Sequence, residues 1–291
     1  MITPIIVRSG MAAMLFGAAW LGPPAAARGD DTPYVAVEPG DLVQVVTRSG
    51  GVRIRRGLDH KVRVIRPDED EVNLSRLSKR VLVKARSDSI VLEVPEGLRL
   101  DIQSRSGSVR VDVLSEHLEI QTVSGDVRIR AAAKSAAVET ISGDVELEAS
   151  IDRLRLSAIS GDIEVSGDVE EVRLRTTSGD VELRGTRLPD IMEMKTVSGD
   201  LMARGDLPRG ATYRMESMSG SFELERSNEQ GFRLEARTRS GDIRLPKGER
   251  ARERGDDEEW MGWQSKREWR VVGEGGAELR FESFSGDISI R

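Results

Sequence analysis

A Ser-Gly pair returns along the chain with its glycine at Gly50, Gly107, Gly125, Gly143, Gly161, Gly179, Gly199, Gly220, Gly241 and Gly286. Successive separations are 57, 18, 18, 18, 18, 20, 21, 21 and 45 residues. A unit of 18 residues cannot close a core alone, so units of this size must stack and share one. The first separation is three times 19, and "ARSDSIVLEV" within it reads as a degenerate copy with Asp88 in the glycine's place. The last separation holds an insertion.

Alignment on the glycine exposes a period of two. Two places after it stand Val109, Val127, Val145, Ile163 and Val181, and four places after stand Val111, Ile129, Leu147, Val165 and Leu183. Seven and five places before it stand pairs such as Leu118/Ile120, Leu154/Leu156 and Met192/Met194. Three places before, the residue is small: Thr122, Thr140, Ala158, Thr176 or Thr196. Charged and polar residues fill the intervening positions. Strict alternation of this kind predicts strands with one buried face. Each unit then supplies a strand, a bend at Ser-Gly, a second short strand and a turn onward.

The expected fold is all-β: a single elongated β-solenoid, β-helix- or β-roll-like, of about 18–21-residue coils. A dozen such coils would make a rod of about 55 Å. An antiparallel sandwich also has turns every 8–12 residues, but it does not require positional identity at a near-constant 18. The predicted domain covers residues 28–291, with an inserted charged, Trp-containing loop and hairpin at 246–278 near its C-terminal end. "EWRVVGEGGAELRFE" reads as that hairpin, turning at Gly273–Gly276.

The run "VPEGLRLDIQSRSGSVRV", the chain of "SGDV" units and the closing "GGAELRFESFSGDISI" together resemble the bacterial "putative adhesin" family of SGDV-repeat β-strand proteins, a domain of unknown function. The resemblance spans Tyr34 to Arg291. It implies a β-solenoid-like fold and an envelope location, and it carries over no catalytic residue.

The first 27 residues differ from the rest. Arg8, the apolar run Met11–Leu21, the break Gly22-Pro23-Pro24 and Ala25-Ala26-Ala27 describe a secretory signal peptide cut near Ala27. An uncleaved anchor is the competing reading, but about 20 apolar residues are needed to span a bilayer, and Arg8 leaves fewer. The mature chain has no segment that reads as transmembrane. The expected location is therefore exported: periplasmic, extracellular or at the cell envelope. The chain has no cysteine, so disulfides are excluded. Its formal charge of −6, with no basic run, argues against nucleic acid as a partner.

Each letter of Ser-Gly-Asp has a structural reading. The glycines at Gly107, Gly125, Gly143, Gly161, Gly179, Gly199, Gly220, Gly241 and Gly286 are expected as bends needing positive φ or close approach. The serine is expected in the buried phase, its hydroxyl bonded to the neighbouring coil's backbone. The small residue three before the glycine is expected to form a Thr/Ser ladder. Asp126, Asp144, Asp162 and Asp180 would stack in a column, where neighbours 4.8 Å apart repel by about 0.9 kcal/mol even in water. Either each carboxylate caps backbone N–H groups, as in Asx-turns, or the column binds Ca²⁺. Capping is the reading taken, with no cofactor expected.

His60 and His117 stand alone, and no nucleophile–base set or phosphate loop rises above the repeat. The repeat breaks where Trp260, Trp263 and Trp269 follow a mixed charge run, Glu249–Glu259. These tryptophans read as an end cap over the terminal coils, or as an aromatic patch for a glycan or protein partner. The expected function is a non-enzymatic exported scaffold, adhesin-like, meeting an envelope protein or surface polymer. The alternatives are an envelope-polysaccharide enzyme on a β-helix, or a solenoid that polymerises end to end through open coil edges.

Overall fold

The computed structural model describes residues 5–6, 33–65, 72–86, 89–130, 132–245, 266–272 and 276–291. Every coil is a pair of strands, and in ten of the eleven they meet at a Ser-Gly corner. In one coil, Ala133–Ser142 runs up to Gly143 and Val145–Glu148 leaves it. The leading strands of all coils stack into a sheet of fourteen strands, and the trailing strands into one of thirteen. Three strands of the first sheet and two of the second are attached through antiparallel pairs at the ends. The remaining eleven in each sheet pair in parallel, giving eleven coils and a stack about 48 Å long. The expected β-solenoid is the fold observed.

The core lies between the two sheets, and the alternating pattern puts it there. The leading strand Ile151–Ser160 is buried at Ile151, Leu154, Leu156 and Ala158 and exposed between them from Arg155 onward. Register keeps like residues stacked: Leu118, Ala136, Leu154, Val172, Met192 and Tyr213 lie opposite one another in turn. A slip of one residue would turn the entire aliphatic row outward, so the hydrophobic pattern itself fixes the register. Where the repeat lengthens to 20 residues, the extra length is absorbed at the far turn, as a register shift between Arg184 and Arg187.

Coil order departs from sequence order at both ends. The outermost N-terminal coil is Arg80–Ala85 with Ile90–Val94, and the first coil of the chain, Leu42–Thr47 with Val52–Arg56, sits beneath it against the Gly107 coil. At the other end, the last coil of the chain, Ala277–Ser285 with Ile288–Ile290, inserts between the Gly220 and Gly241 coils. Simple sequential stacking is therefore corrected at each terminus. The 57-residue separation holds one coil plus two antiparallel strands, Lys61–Val64 and Asn73–Leu77. Asp88, the degenerate corner, lies outside the described residues.

Antiparallel strands cover both sheets at the N-terminal end and the leading sheet at the C-terminal end. Asn73–Leu77 and Lys61–Val64 cover the N-terminal coil, and Lys266–Val272 covers Phe232–Ser240. Buried Asp41 ties the first cap down: its Oδ2 accepts the Glu38 N–H at 3.0 Å and a hydrogen bond from Arg76 at 3.1 Å. A further coil cannot add in parallel register onto an edge held by an antiparallel strand, whereas Ile243–Arg244, at the C-terminal end of the trailing sheet, has no such strand among the described residues. The hairpin expected around Gly273–Gly276 is also corrected. Lys266–Val272 and Ala277–Ser285 do not pair with each other, because Phe232–Ser240 lies between them. The reason is that Gly286 brings its strand into a corner site beside Gly220, leaving the outer edge to the other strand. Of the expected leader, only Ile5–Ile6 is described, paired with Asn73 and Leu74.

Aromatic residues fill the C-terminal core, where Phe222 and Phe281 rings lie 6.0 Å apart. Tyr213 is buried among them and donates to the Pro189 carbonyl at 2.8 Å. Burial pushes its pKa well above the ordinary value of 10, with the Asp190 charge adding to this and Arg187 opposing it. A folded pKa above the unfolded one adds stability that is complete below about pH 10 and fades as pH climbs from there toward the folded value. Tyr213→Phe is therefore expected to cost about 1 kcal/mol at pH 7 through the lost hydrogen bond. Above pH 10 the gap between the two proteins should narrow, as read by denaturant melts across pH.

Candidate functional site

The corner is where the chain's polar motif is concentrated. The column of glycines has φ from +91° at Gly50 to +150° at Gly241 and Gly286. Close approach matters as much as φ. A Cβ on Gly143 would stand 2.5 Å from the Gly125 carbonyl oxygen, and one on Gly220 would stand 2.0 Å from that of Gly199. No side chain fits there, and the obstructing atom is backbone.

The serine differs from expectation. Ser124, Ser142, Ser160 and Ser178 are exposed, because the strand turns out of the core at the corner. The Ser160 hydroxyl does donate to the Ile141 carbonyl of the adjacent coil, at 3.3 Å. The recurring corner bond, however, is backbone: the Gly107 N–H donates to the Ser124 carbonyl and the Gly125 N–H to that of Ser142, each at 3.1 Å. The threonines stack in register, Thr122 opposite Thr140 and Thr176 opposite Thr196. Among the described residues, hydroxyls at this position link coils only toward the C-terminal end, where Thr238 donates to the Gly286 carbonyl at 3.2 Å and Ser283 to the Gly220 carbonyl at 3.4 Å. In the central coils they turn inward on their own bend. Thr140, Thr176 and Thr196 donate to the serine carbonyl two residues on, at 3.3, 3.2 and 3.1 Å. Each closes its own bend.

The aspartates form a ladder between coils. Asp126 Oδ1 accepts the Asp144 N–H at 3.2 Å, Asp144 that of Asp162 at 3.0 Å, and Asp162 that of Asp180 at 2.9 Å. Asp180 and Asp200 continue it onto the N–H groups of Asp200 and Ser221, at 2.8 and 2.7 Å. Asp287 does the same for Asp242 at 2.9 Å. At the N-terminal end the Ser89 hydroxyl takes the role, accepting the Gly51 N–H at 3.1 Å. Each carboxylate thus accepts a donor that the bend leaves without a ladder partner, an interaction about twice as strong as a neutral hydrogen bond. Among the described residues, no three His, Cys, Asp or Glu side chains are grouped to hold a metal ion.

Beside the aspartates, on the outer face of the trailing sheet, runs a mixed-charge row. Arg128 pairs with Glu146, and Arg130 reaches Glu146 at 3.7 Å and Glu148 at 3.0 Å. Arg184 bridges Glu164 at 2.8 Å and Glu182 at 2.5 Å. Between the two rows lies a shallow groove of about 420 Å³ bordered by Arg110, Asp126, Arg128, Asp144 and Glu164. On the leading sheet, burial alone would raise the Glu216 pKa, but hydrogen bonds from Lys195 and Arg214 outweigh it and hold the carboxyl below its ordinary value. Glu116 is likewise lowered by its bond to Lys134. His117 shares a 2.6 Å hydrogen bond with Ser135 on the adjacent coil. Trp269 lies in the C-terminal edge strand, opposite Glu235, while Trp260 and Trp263 lie outside the described residues. No described helix is long and apolar enough to cross a membrane.

A parallel two-sheet solenoid whose corner stacks glycine on glycine and aspartate on backbone N–H defines a repeat protein with a continuous polar seam. Its sequence signature matches that of the Toastrack DUF4097 family over residues 115–291, and the chain belongs to that family. Two solved structures are similar to it. One is a "putative cell adhesion protein" from Clostridium sporogenes, 10% identical, covering 89% of this chain and 98% of its own with a TM-score of 0.25. The other is a "putative adhesin" from Bacteroides fragilis, 11% identical, covering 91% and 98% with a TM-score of 0.41. No curated protein matches the chain.

Three substitutions separate the roles of the corner. Gly143→Ala is expected to destabilise by about 2–4 kcal/mol, from positive-φ strain and the displaced neighbouring coil. Asp144→Asn keeps the acceptor for the Asp162 N–H and removes like-charge repulsion, so its melting midpoint should equal or exceed wild type. Asp144→Ala, which removes the acceptor, should melt below both.

Proposed function

We propose that the chain is a non-enzymatic exported scaffold that binds an extended envelope partner, a surface polymer or an envelope protein, along its outer faces. The reading rests on one observation above others. The outward charges recur in register at coil spacing, as in the row Arg128, Glu146, Glu164 and Glu182. An active site is a local departure from a repeat, whereas here the groove is lined by the repeat's own residues. An extended partner with its own regular spacing can meet such a row at many weak contacts, and their sum gives retention without any deep pocket. Residues 1–27 act as the export signal, and the aspartate column serves the coils and not a cation.

Incubating the purified chain with an insoluble envelope fraction tests this. The chain should sediment with the fraction at low salt and be released by roughly 0.5 M NaCl, where the Debye length falls to a few ångströms. A chelator should leave retention unchanged, and a Glu146→Gln/Glu164→Gln/Glu182→Gln variant should bind with altered strength and unaltered melting. Absence of retention, or release of sugar from the fraction, defeats the proposal.

A further inference from the structure

Two residues before each corner glycine the side chain points outward from the leading sheet, where the repeat elsewhere places polar groups. In the central coils this position is apolar: Val123, Ile141, Ile159, Val197, Met218 and Phe284 are 44, 47, 53, 48, 62 and 39% exposed. Thr177 fills the remaining place in the row. Arg105 precedes the row, and beyond it the Arg239 guanidinium lies 4.6 Å from the centre of the Phe284 ring. The result is an apolar stripe about 29 Å long, interrupted at Thr177. Apolar patches of this extent on a soluble protein mark a contact surface.

We infer that the stripe is the interface of a homodimer in which a second copy lies face to face with the first, its coil order reversed. A two-fold axis along the strands, between the Gly161 and Gly179 coils, sets Val123 against the partner's Met218 and Ile141 against the partner's Val197. The columns beside the stripe decide between this register and its neighbours. One column reads Gln121, Glu139, Ser157, Arg175, Lys195 and Glu216 in coil order. Reversed about that axis, Glu139 faces the partner's Lys195 and Ser157 faces the partner's Arg175, with no like charges opposed. In the next column Glu119 faces the partner's Arg214 and Asp101 faces the partner's Arg280. Arg155 there meets the partner's Arg173, and within its own chain Arg173 is held by Glu171 at 2.7 Å. Moving the axis by half a coil one way would put Glu139 against the partner's Glu216, and the other way Glu119 against the partner's Glu193, so the charge pattern favours this register. The stripe and these columns cover on the order of 700 Å² per copy, near the ~800 Å² per partner of a standard specific interface.

Sedimentation equilibrium of the purified chain tests this, with the expected result a concentration-dependent dimer. Ile159→Asp, at an exposed position, should give a monomer with an unchanged melting temperature. Glu139→Lys should weaken the dimer by about tenfold, and adding Lys195→Glu should restore it to within about threefold of wild type. A monomeric wild-type chain at about 100 µM would overturn the inference. A dimer indifferent to Ile159→Asp, or a charge swap that fails to restore association, would overturn it equally.

Discussion

Every other feature of this protein depends on how near one coil's corner comes to the next. Backbone stands where a side chain would begin, because a Cβ on Gly143 would be 2.5 Å from the carbonyl oxygen of Gly125. That approach allows the Gly125 N–H to reach the Ser142 carbonyl at 3.1 Å, and the Asp126 carboxylate to reach the Asp144 N–H at 3.2 Å. With the corners locked, the strands on either side have a single register. The aliphatic rows then close the core without further specification.

The same locking decides the outer surface. Residues at one position of the repeat become a column, and a column of like charges is self-repelling unless the sequence varies along it. The chain varies it. Arg128 gives way to Glu146, Arg130 and Arg184 stand one column over, and ion pairs run across coils as well as along strands. Individually such exposed pairs stabilise little. Collectively they keep a highly charged rod from opposing itself.

Much of this was legible in the sequence because a repeat reports on itself. The corner glycines, the aliphatic rows flanking them and the two-strand coil follow from alignment of the units. The carboxylate column and its hydrogen bonds to backbone N–H groups also followed. What did not follow were features that depend on a direction at the corner. Ser142 has the parity of a buried residue, but the strand leaves the sheet plane one residue before Gly143, and parity ceases to count there. The coil order at the ends was hidden for a different reason. The aliphatic rows of one coil can stack on those of another whatever their order in the chain, and the Gly50 coil pairs with its sequence neighbour on one side and with the Gly107 coil on the other. The apolar stripe was in plain view as Val123, Ile141 and Ile159. Alignment alone does not say which side of the sheet they occupy once the bend begins.

The displaced order of the terminal coils has a mechanical consequence. A repeat stack whose last unit is also the last of the chain can be peeled from that end, one interface at a time. Here a pull on Arg291 loads the Gly286 coil, which is gripped by the Gly220 coil on one side and the Gly241 coil on the other. A pull on the N-terminal side of Leu42 likewise loads a coil held between two others. Force must shear two interfaces at once before any residue is released. A rod of this build resists rupture where tension enters the chain.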